Sequence, residues 1–148
     1  MTLIHLIYVS SAREDLSEAE LDKILASSVR HNKPQSVTGM LLYSNGSFMQ
    51  VLEGDAVAVD EVFSRIRDDP RHTAVFVIER APISERNFDR WSMGFKRLDA
   101  RDAAAYRDYA PFFEHGFDAA HVGARPSVAL EMLINFARDQ DRGVAVLA

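Results

Sequence analysis

Ser47-Phe48-Met49-Gln50-Val51-Leu52-Glu53-Gly54 is the stretch whose reading decides the fold. Apolar residues occupy both alternations, and β-branched and aromatic types are frequent, so it reads as a strand. Asn45-Gly46 stands just ahead of it, the strongest short-range signal for a two-residue hairpin turn. Pairing outward from that turn sets Ser44 opposite Ser47, Tyr43 opposite Phe48, and Leu41 opposite Gln50. Gln50 then shares a sheet face with Phe48, Leu52, Leu41 and Tyr43. A primary amide there has two donors and two acceptor sites to satisfy within an apolar layer. It can bond nearby backbone, or it can belong to a polar site built into that layer.

Upstream, residues 3–9 point Ile4, Leu6 and Tyr8 one way and Leu3, Ile7 and Val9 the other. A strand apolar on both faces belongs inside a sheet, which puts Tyr8 near the C-terminal end of a central strand. Its hydroxyl there needs a partner, which is backbone in most buried tyrosines. Leu16-Ser17-Glu18-Ala19-Glu20-Leu21 starts a helix: Ser17 and Glu20 fit a capping box, and Leu16 with Leu21 fit a hydrophobic staple. The inward stripe runs through Leu21, Ile24, Leu25, Ser28 and Val29 to Asn32, before Pro34 stops the helix. Asn32 can satisfy loose carbonyls at the helix end or serve a site on that face, and His31 can be simply solvated.

Downstream of the hairpin (residues 37–43 and 48–53), Asp55 is placed to cap a second helix with the stripe Val59, Val62, Phe63, Ile66, ended by Pro70. Arg65, Asp68 and Asp69 fall in its last turn, where a carboxylate opposes the helix dipole, so Asp69 needs a partner, with solvent the default. Residues 74–78 read as a strand, residues 82–90 as a polar connection, and residues 91–98 as a further strand with Trp91, Met93 and Phe95 on one face. The order β-α-β-β-α-β-β gives an α+β, ferredoxin-like domain over residues 1–98, with both helices on one face of a mixed sheet. The opposite face (Leu3, Ile7, Val9, Met40, Leu42, Met49, Val51) is also apolar and needs a cover. Residues 99–148 supply it as a helical extension: residues 100–109, and 127–142 capped by Ser127 and ended by Gly143. Val128, Leu130, Met132, Leu133, Ile134 and Phe136 make that last helix apolar around much of its girth. One surface is expected on the sheet and another against a partner.

The chain has 148 residues, 47% hydrophobic and 26% charged, enough to bury a core as a soluble globular protein. With a net charge of −5 and no lysine-arginine cluster, nucleic acid is not an expected partner. Cysteine is absent and five histidines are scattered without metal spacing, so no disulfide and no metal site are expected. Met1-Thr2-Leu3-Ile4-His5-Leu6 lacks a signal peptide's basic start, and no apolar run is long enough to span a bilayer. The expectation is a cytoplasmic protein without membrane contact. Phosphate-cradling glycine loops, a nucleophile elbow and HExxH are all missing. What is left is Tyr8, Gln50, Asn32 and Ser28 directed between helices and sheet, an arrangement suited to a planar polar ligand.

As an ordered set, these residues resemble the BLUF family, blue-light sensors that hold a flavin. The resemblance covers residues 2–98 and rests on Leu-Ile-Tyr8-Val-Ser, Asn32, Val-Thr-Gly39-Met-Leu-Leu-Tyr, Phe-Met-Gln50-Val-Leu-Glu-Gly, Asp-Pro-Arg-His72 and Trp91-Ser-Met93-Gly-Phe. It implies a flavin, FAD with FMN as the other possibility, lying non-covalently between the two helices. It carries the photoactive pair onto Tyr8 and Gln50, the ring-binding amide onto Asn32, and the sandwiching side chains onto Ile24 and Ile66. Arg65, Asp69 and His72 fall near the ring, and Trp91, Met93 and Ser28 onto the signal relay. His31 stands where some relatives carry a second asparagine, and is expected to donate to a ring carbonyl. Photoexcitation then draws an electron and a proton from Tyr8, and a rearranged Gln50 leaves a red-shifted signalling state. The resemblance further implies a short stand-alone sensor with no catalysis of its own. It would act through a downstream protein or as a homodimer or higher oligomer. The competing reading is a small flavin oxidoreductase or a non-photoactive flavin-binding module.

Overall fold

β1 (Leu3–Ala12) lies inside a five-stranded sheet of order β4-β1-β3-β2-β5, as its two apolar faces require. It runs beyond the expected end at Val9 because Ser11 and Ala12 still pair with Thr73 and His72 of β4. The computed structural model describes residues 2–12, 16–70, 72–90, 92–98, 100–105, 117 and 126–140. α1 (Glu18–Asn32) opens on the expected capping box: Glu20 N–H donates to Ser17 Oγ at 3.2 Å, and Ser17 N–H to Glu20 Oε1 at 3.3 Å. A 3-10 turn (Lys33–Gln35) and a left-handed Ser36 (φ 55°) lead into β2 (Thr38–Ser44).

Asn45 and Gly46 have φ of 49° and 76°, both positive as a type I′ hairpin turn demands. β3 (Ser47–Asp55) accordingly pairs Ser44 with Ser47, Tyr43 with Phe48 and Leu41 with Gln50. α2 (Ala56–Asp68) follows at once. Asp55 occupies its N-cap position, but the expected side-chain cap is not made. Asp55 is still engaged in the ladder opposite Leu3, and the first helical amide, of Ala56, donates to the Thr2 carbonyl at 2.9 Å.

β4 (His72–Pro82) is longer than residues 74–78 because it follows β1 along its whole length, down to the Ile4–Pro82 pair. Pro82 closes the strand where a connection was expected to begin, which an edge strand permits since its outer side needs no N–H. β5 (Gly94–Arg97) is shorter than residues 91–98 and pairs in parallel with β2. Met93 and Phe95 join one core with Tyr8, Leu41 and Phe48; Trp91 lies outside the described residues.

On the opposite face, α3 (Ala100–Ala105) is tied to β5 by Lys96 Nζ at 3.4 Å from Asp102 Oδ1. α4 (Pro126–Gln140) sets Ala129, Met132, Leu133, Phe136 and Ala137 against Ile7, Val9, Met40, Leu42, Met49 and Val51. It begins at Pro126, so Ser127 sits within the first turn and not at the cap, in keeping with proline's fit to a first helical position. Val128, Leu130 and Ile134 are half-buried at the margin of that core. The expected continuations to residues 109 and 142, and the stop at Gly143, lie outside the described residues. Phe117 is buried in the same core and its N–H donates to Ser47 Oγ at 2.6 Å.

Candidate functional site

The C-terminal halves of α1 and α2, with the start of β4, enclose a cavity of ≈ 460 Å³. α1 lines it with Ile24, Ser27, Ser28, His31 and Asn32, positions three or four apart on one helix face. α2 contributes Val62, Arg65, Ile66 and Asp68, and the turn into β4 contributes Asp69, Pro70 and His72. Ile24, Val62 and Ile66 face the space from opposite helices, while the exposed Arg65 and Asp68 stand at its rim.

Tyr8 and Gln50 are not in the cavity wall; they form a fully buried pair in the sheet. They are cross-strand partners of β1 and β3, and the Tyr8 hydroxyl donates to Gln50 Oε1. Gln50 Nε2 in turn donates to Met93 Sδ at 3.1 Å, so Gln50 is satisfied by side chains and not by nearby backbone. The Tyr8 ring packs against Phe63 of α2 at 5.4 Å and edge-on to His72 at 6.5 Å. His72 therefore connects the pair to the cavity, held by its Nδ1 at 2.9 Å from Ser10 Oγ and by a ring contact with Phe48 at 4.8 Å. Burial, and secondarily the Asp69 charge, pushes the Tyr8 pKa far above its ordinary 10. The phenol is thus a neutral donor throughout the physiological range.

Asn32 does not serve the carbonyls of its own helix. It is buried, and its Nδ2 donates to the Ser92 carbonyl at 3.0 Å, next to Met93. That bond fixes the amide orientation and leaves Oδ1 buried without a partner. A buried, unpaired acceptor on a residue that lines the cavity calls for a ligand with an N–H on a flat polar edge. The pyrimidine end of a flavin has such an edge, and the residues present fit it. Ser28 spends its hydroxyl hydrogen on the Ile24 carbonyl at 3.0 Å. His31 has Nδ1 at 2.8 Å from the Ser27 carbonyl, which requires the hydrogen on Nδ1 and makes Nε2 an acceptor in the neutral ring. Donation from His31 to a ring carbonyl, the expectation from sequence, would therefore need its imidazolium form.

Sequence reasoning missed Glu53. Its side chain is buried, with Oε2 accepting from Asn87 N–H at 2.7 Å and Oε1 from Phe88 N–H at 2.8 Å and Thr38 Oγ1 at 3.4 Å. The available signal was a carboxylate alternating onto an otherwise apolar face of an interior strand. Val62 and Phe63, read only as helix core, turn out to face the cavity and the Tyr8 ring.

The family described as sensors of blue light using FAD (BLUF) matches residues 3–94. The photoactivated adenylate cyclase subunit beta of Euglena gracilis is 43% identical over 93 residues, which is 62% of this chain and 11% of that protein. The chain thus spans only a small part of the curated relatives it matches. Among solved structures, BlrB, a BLUF protein in its dark state, has a TM-score of 0.68 at 29% identity, over 88% of this chain and 97% of that one. A bacterial light-regulated adenylyl cyclase has a TM-score of 0.69 at 29% identity, over 76% of this chain and 33% of its own. BlsA in its photo-activated state shares the fold, with a TM-score of 0.72 at 24% identity, over 89% of this chain and 94% of that one. With the family spanning residues 3–94, from β1 to the first residue of β5, this chain belongs to the BLUF family of blue-light flavin sensors.

Proposed function

We propose that this chain holds a flavin non-covalently between α1 and α2, and that Tyr8 and Gln50 are its photoactive pair with Met93 the first relay. The observation that carries the reading is the buried chain Tyr8 O–H to Gln50 Oε1, and Gln50 Nε2 to Met93 Sδ, beside the cavity. FAD is the proposed occupant, after the family's description, with FMN the other candidate. Asn32 Oδ1 would accept from the ring edge, Ile24 and Ile66 would flank its faces, and Arg65, Asp69, His31 and His72 would border it.

A bound flavin supplies, under blue light, a strong oxidant whose absorption responds to hydrogen bonds at its ring. Tyr8 is the group of this chain placed to be oxidised. Its phenol gives up an electron most readily with its proton, and among the described residues the hydroxyl points that proton at Gln50 Oε1. Gln50 would take that proton at Oε1 and give one from Nε2 toward the ring edge; once an electron and a proton return to Tyr8, the amide would be left turned or tautomerised. Turning brings Oε1 toward Met93, and a thioether has no hydrogen to donate, so the Gln50–Met93 bond is lost. Met93 thereby registers the state of Gln50. Tyr8, Gln50 and Met93 are all buried away from water, which makes a single altered hydrogen bond matter more.

The chain is read as a sensor without catalysis of its own, comprising the flavin domain (residues 1–98) and a helical extension (residues 99–148). Output is placed in protein contacts of β5 and α4, within a homodimer or to a separate signalling protein. Trp91 remains a proposed relay residue by its place in the family motif. A light-minus-dark absorption spectrum tests the reading: a reversible red shift is expected. A flavin spectrum that does not respond to blue light would favour the oxidoreductase or non-photoactive binding module.

A further inference from the structure

We infer that Glu53 is a positioning residue for the photoactive site, clamping the loop that delivers Met93 to Gln50. The inference rests on the light-sensor reading above. Glu53 lies on β3 three residues beyond Gln50, on the opposite sheet face, and takes no part in the Tyr8–Gln50–Met93 chain. Its two oxygens accept the consecutive amides of Asn87 and Phe88, at 2.7 and 2.8 Å. Arg86 closes the same knot, with Nη1 donating to the Glu53 carbonyl at 3.1 Å and to Thr38 Oγ1 at 2.8 Å. Phe88, 1% exposed, is then driven into the core under α4.

Five residues after Phe88 the chain reaches Met93, and at Gly94 it enters β5 beside Met40. The loop is therefore held by Glu53 at one end, and at the other by the Asn32 bond to the Ser92 carbonyl and by the β2 ladder. A span this short transmits a displacement of its anchor to Met93. A carboxylate suits the task because two acceptor oxygens can each take one of two neighbouring N–H groups. Buried without those donors, it would be costly. Glu53→Gln keeps the shape but presents an NH₂ to one of the two amides, so that amide loses its acceptor.

The test uses the full flavin-loaded chain and begins with the unaltered protein. Failure of the unaltered protein to red-shift defeats the light-sensor reading; the Glu53 inference is then judged on two measurements that need no light. In Glu53→Gln, hydrogen exchange at Asn87 and Phe88 should accelerate and the Met93 methyl resonance should move. If both stay as in the unaltered protein, Glu53 does not position this loop. Where the photocycle is present, recovery in Glu53→Gln should slow by about threefold or more, because the resting arrangement loses its Met93 contact. In a Met93→Ala background the same substitution should change recovery by less than about twofold, since independent sites add and serial ones do not. An equal slowing in both backgrounds overturns the inference, as does an unchanged or faster recovery in Glu53→Gln alone. Arg86→Met, at a half-buried loop position, should act in the same direction more weakly. It replaces Glu53→Gln if that variant does not fold, and unchanged exchange and recovery in it overturn the inference.

Discussion

Asn32→Ala separates a residue that serves the fold from one that serves the ligand, because the two roles have opposite signs here. In the flavin-free protein, the substitution removes the bond from Nδ2 to the Ser92 carbonyl, a loss of about 1 kcal/mol. It also removes the buried, unpartnered Oδ1, whose desolvation costs about 1–3 kcal/mol. Ser92 is only half-buried, so water can replace the lost donor. The flavin-free stability should therefore stay level or rise slightly. In the loaded protein the proposed bond to the flavin would pair Oδ1; losing it would cost about 1–3 kcal/mol and weaken binding by about 5- to 150-fold at ~1.4 kcal/mol per tenfold. Urea denaturation of the flavin-free protein gives the first quantity, and flavin titration followed by fluorescence quenching gives the second. A substantial fall in flavin-free stability with an unchanged Kd would refute the assignment and return Asn32 to a structural role.

Tyr8→Phe should retain flavin, since packing against Phe63 and His72 survives, but lose the light-induced red shift; a shift of normal size would remove Tyr8 from the mechanism. Gln50→Leu should bind flavin without a stable red-shifted state, and normal cycling in it would move the relay elsewhere, with Ser28 the next candidate. Burial holds the Glu53 pKa above its ordinary 4.5 against the pull of Asn87, Phe88, Arg86 and Thr38. The folded state therefore binds the Glu53 proton more tightly than the unfolded chain does. That contribution is full below the ordinary value and is lost as pH rises through the raised one. Urea midpoints of the unaltered protein should fall relative to Glu53→Gln over that rise, and parallel curves would contradict the burial argument. Truncation after Leu98 should expose the sheet face that α4 covers and cause aggregation; a soluble monomer would show that face to be tolerated bare.

The fold was legible wherever pattern and local chemistry agreed. Asn45-Gly46 dictated a turn, the turn dictated register, and register put Gln50 among Leu41, Phe48 and Leu52. Tyr8 and Asn32 were legible as polar groups on apolar faces; the coupling of Tyr8 with Gln50 came only through the family resemblance, and the Ser92 carbonyl that Asn32 meets did not come at all. The cross-strand pairing of Tyr8 with Gln50 depends on how β1 docks against the hairpin, which no local signal encodes. Strand ends were misjudged where pairing partners, and not composition, set the limit, as at Ala12 and Pro82. Asp55 failed as a cap because the ladder already held it, a tertiary claim that overrides positional preference. Glu53 was passed over for a related reason, although its alternation onto an apolar face was a signal. A glutamate near a strand end looks solvated until the loop that returns over it is known.

The hairpin tip carries a consequence for anyone who would modify this protein. Asn45 is exposed at a tight turn, the kind of place usually chosen for a tag, a splice or a domain graft. Side chains alternate with a period of two, so a graft that re-pairs the strands one residue out of step swaps their faces. Met49 would then stand where the amide of Gln50 meets Tyr8, and the amide would point into the layer beneath α4. The altered protein could keep every strand and helix and still be blind. Ser47, which donates to the Ser44 carbonyl at 2.8 Å, and Ala12, whose N–H reaches the Gly46 carbonyl at 2.8 Å, hold that step in place. Fusion designs are better directed to another surface loop, and colour under blue light, not solubility, is the measure of whether a graft at the tip has been tolerated.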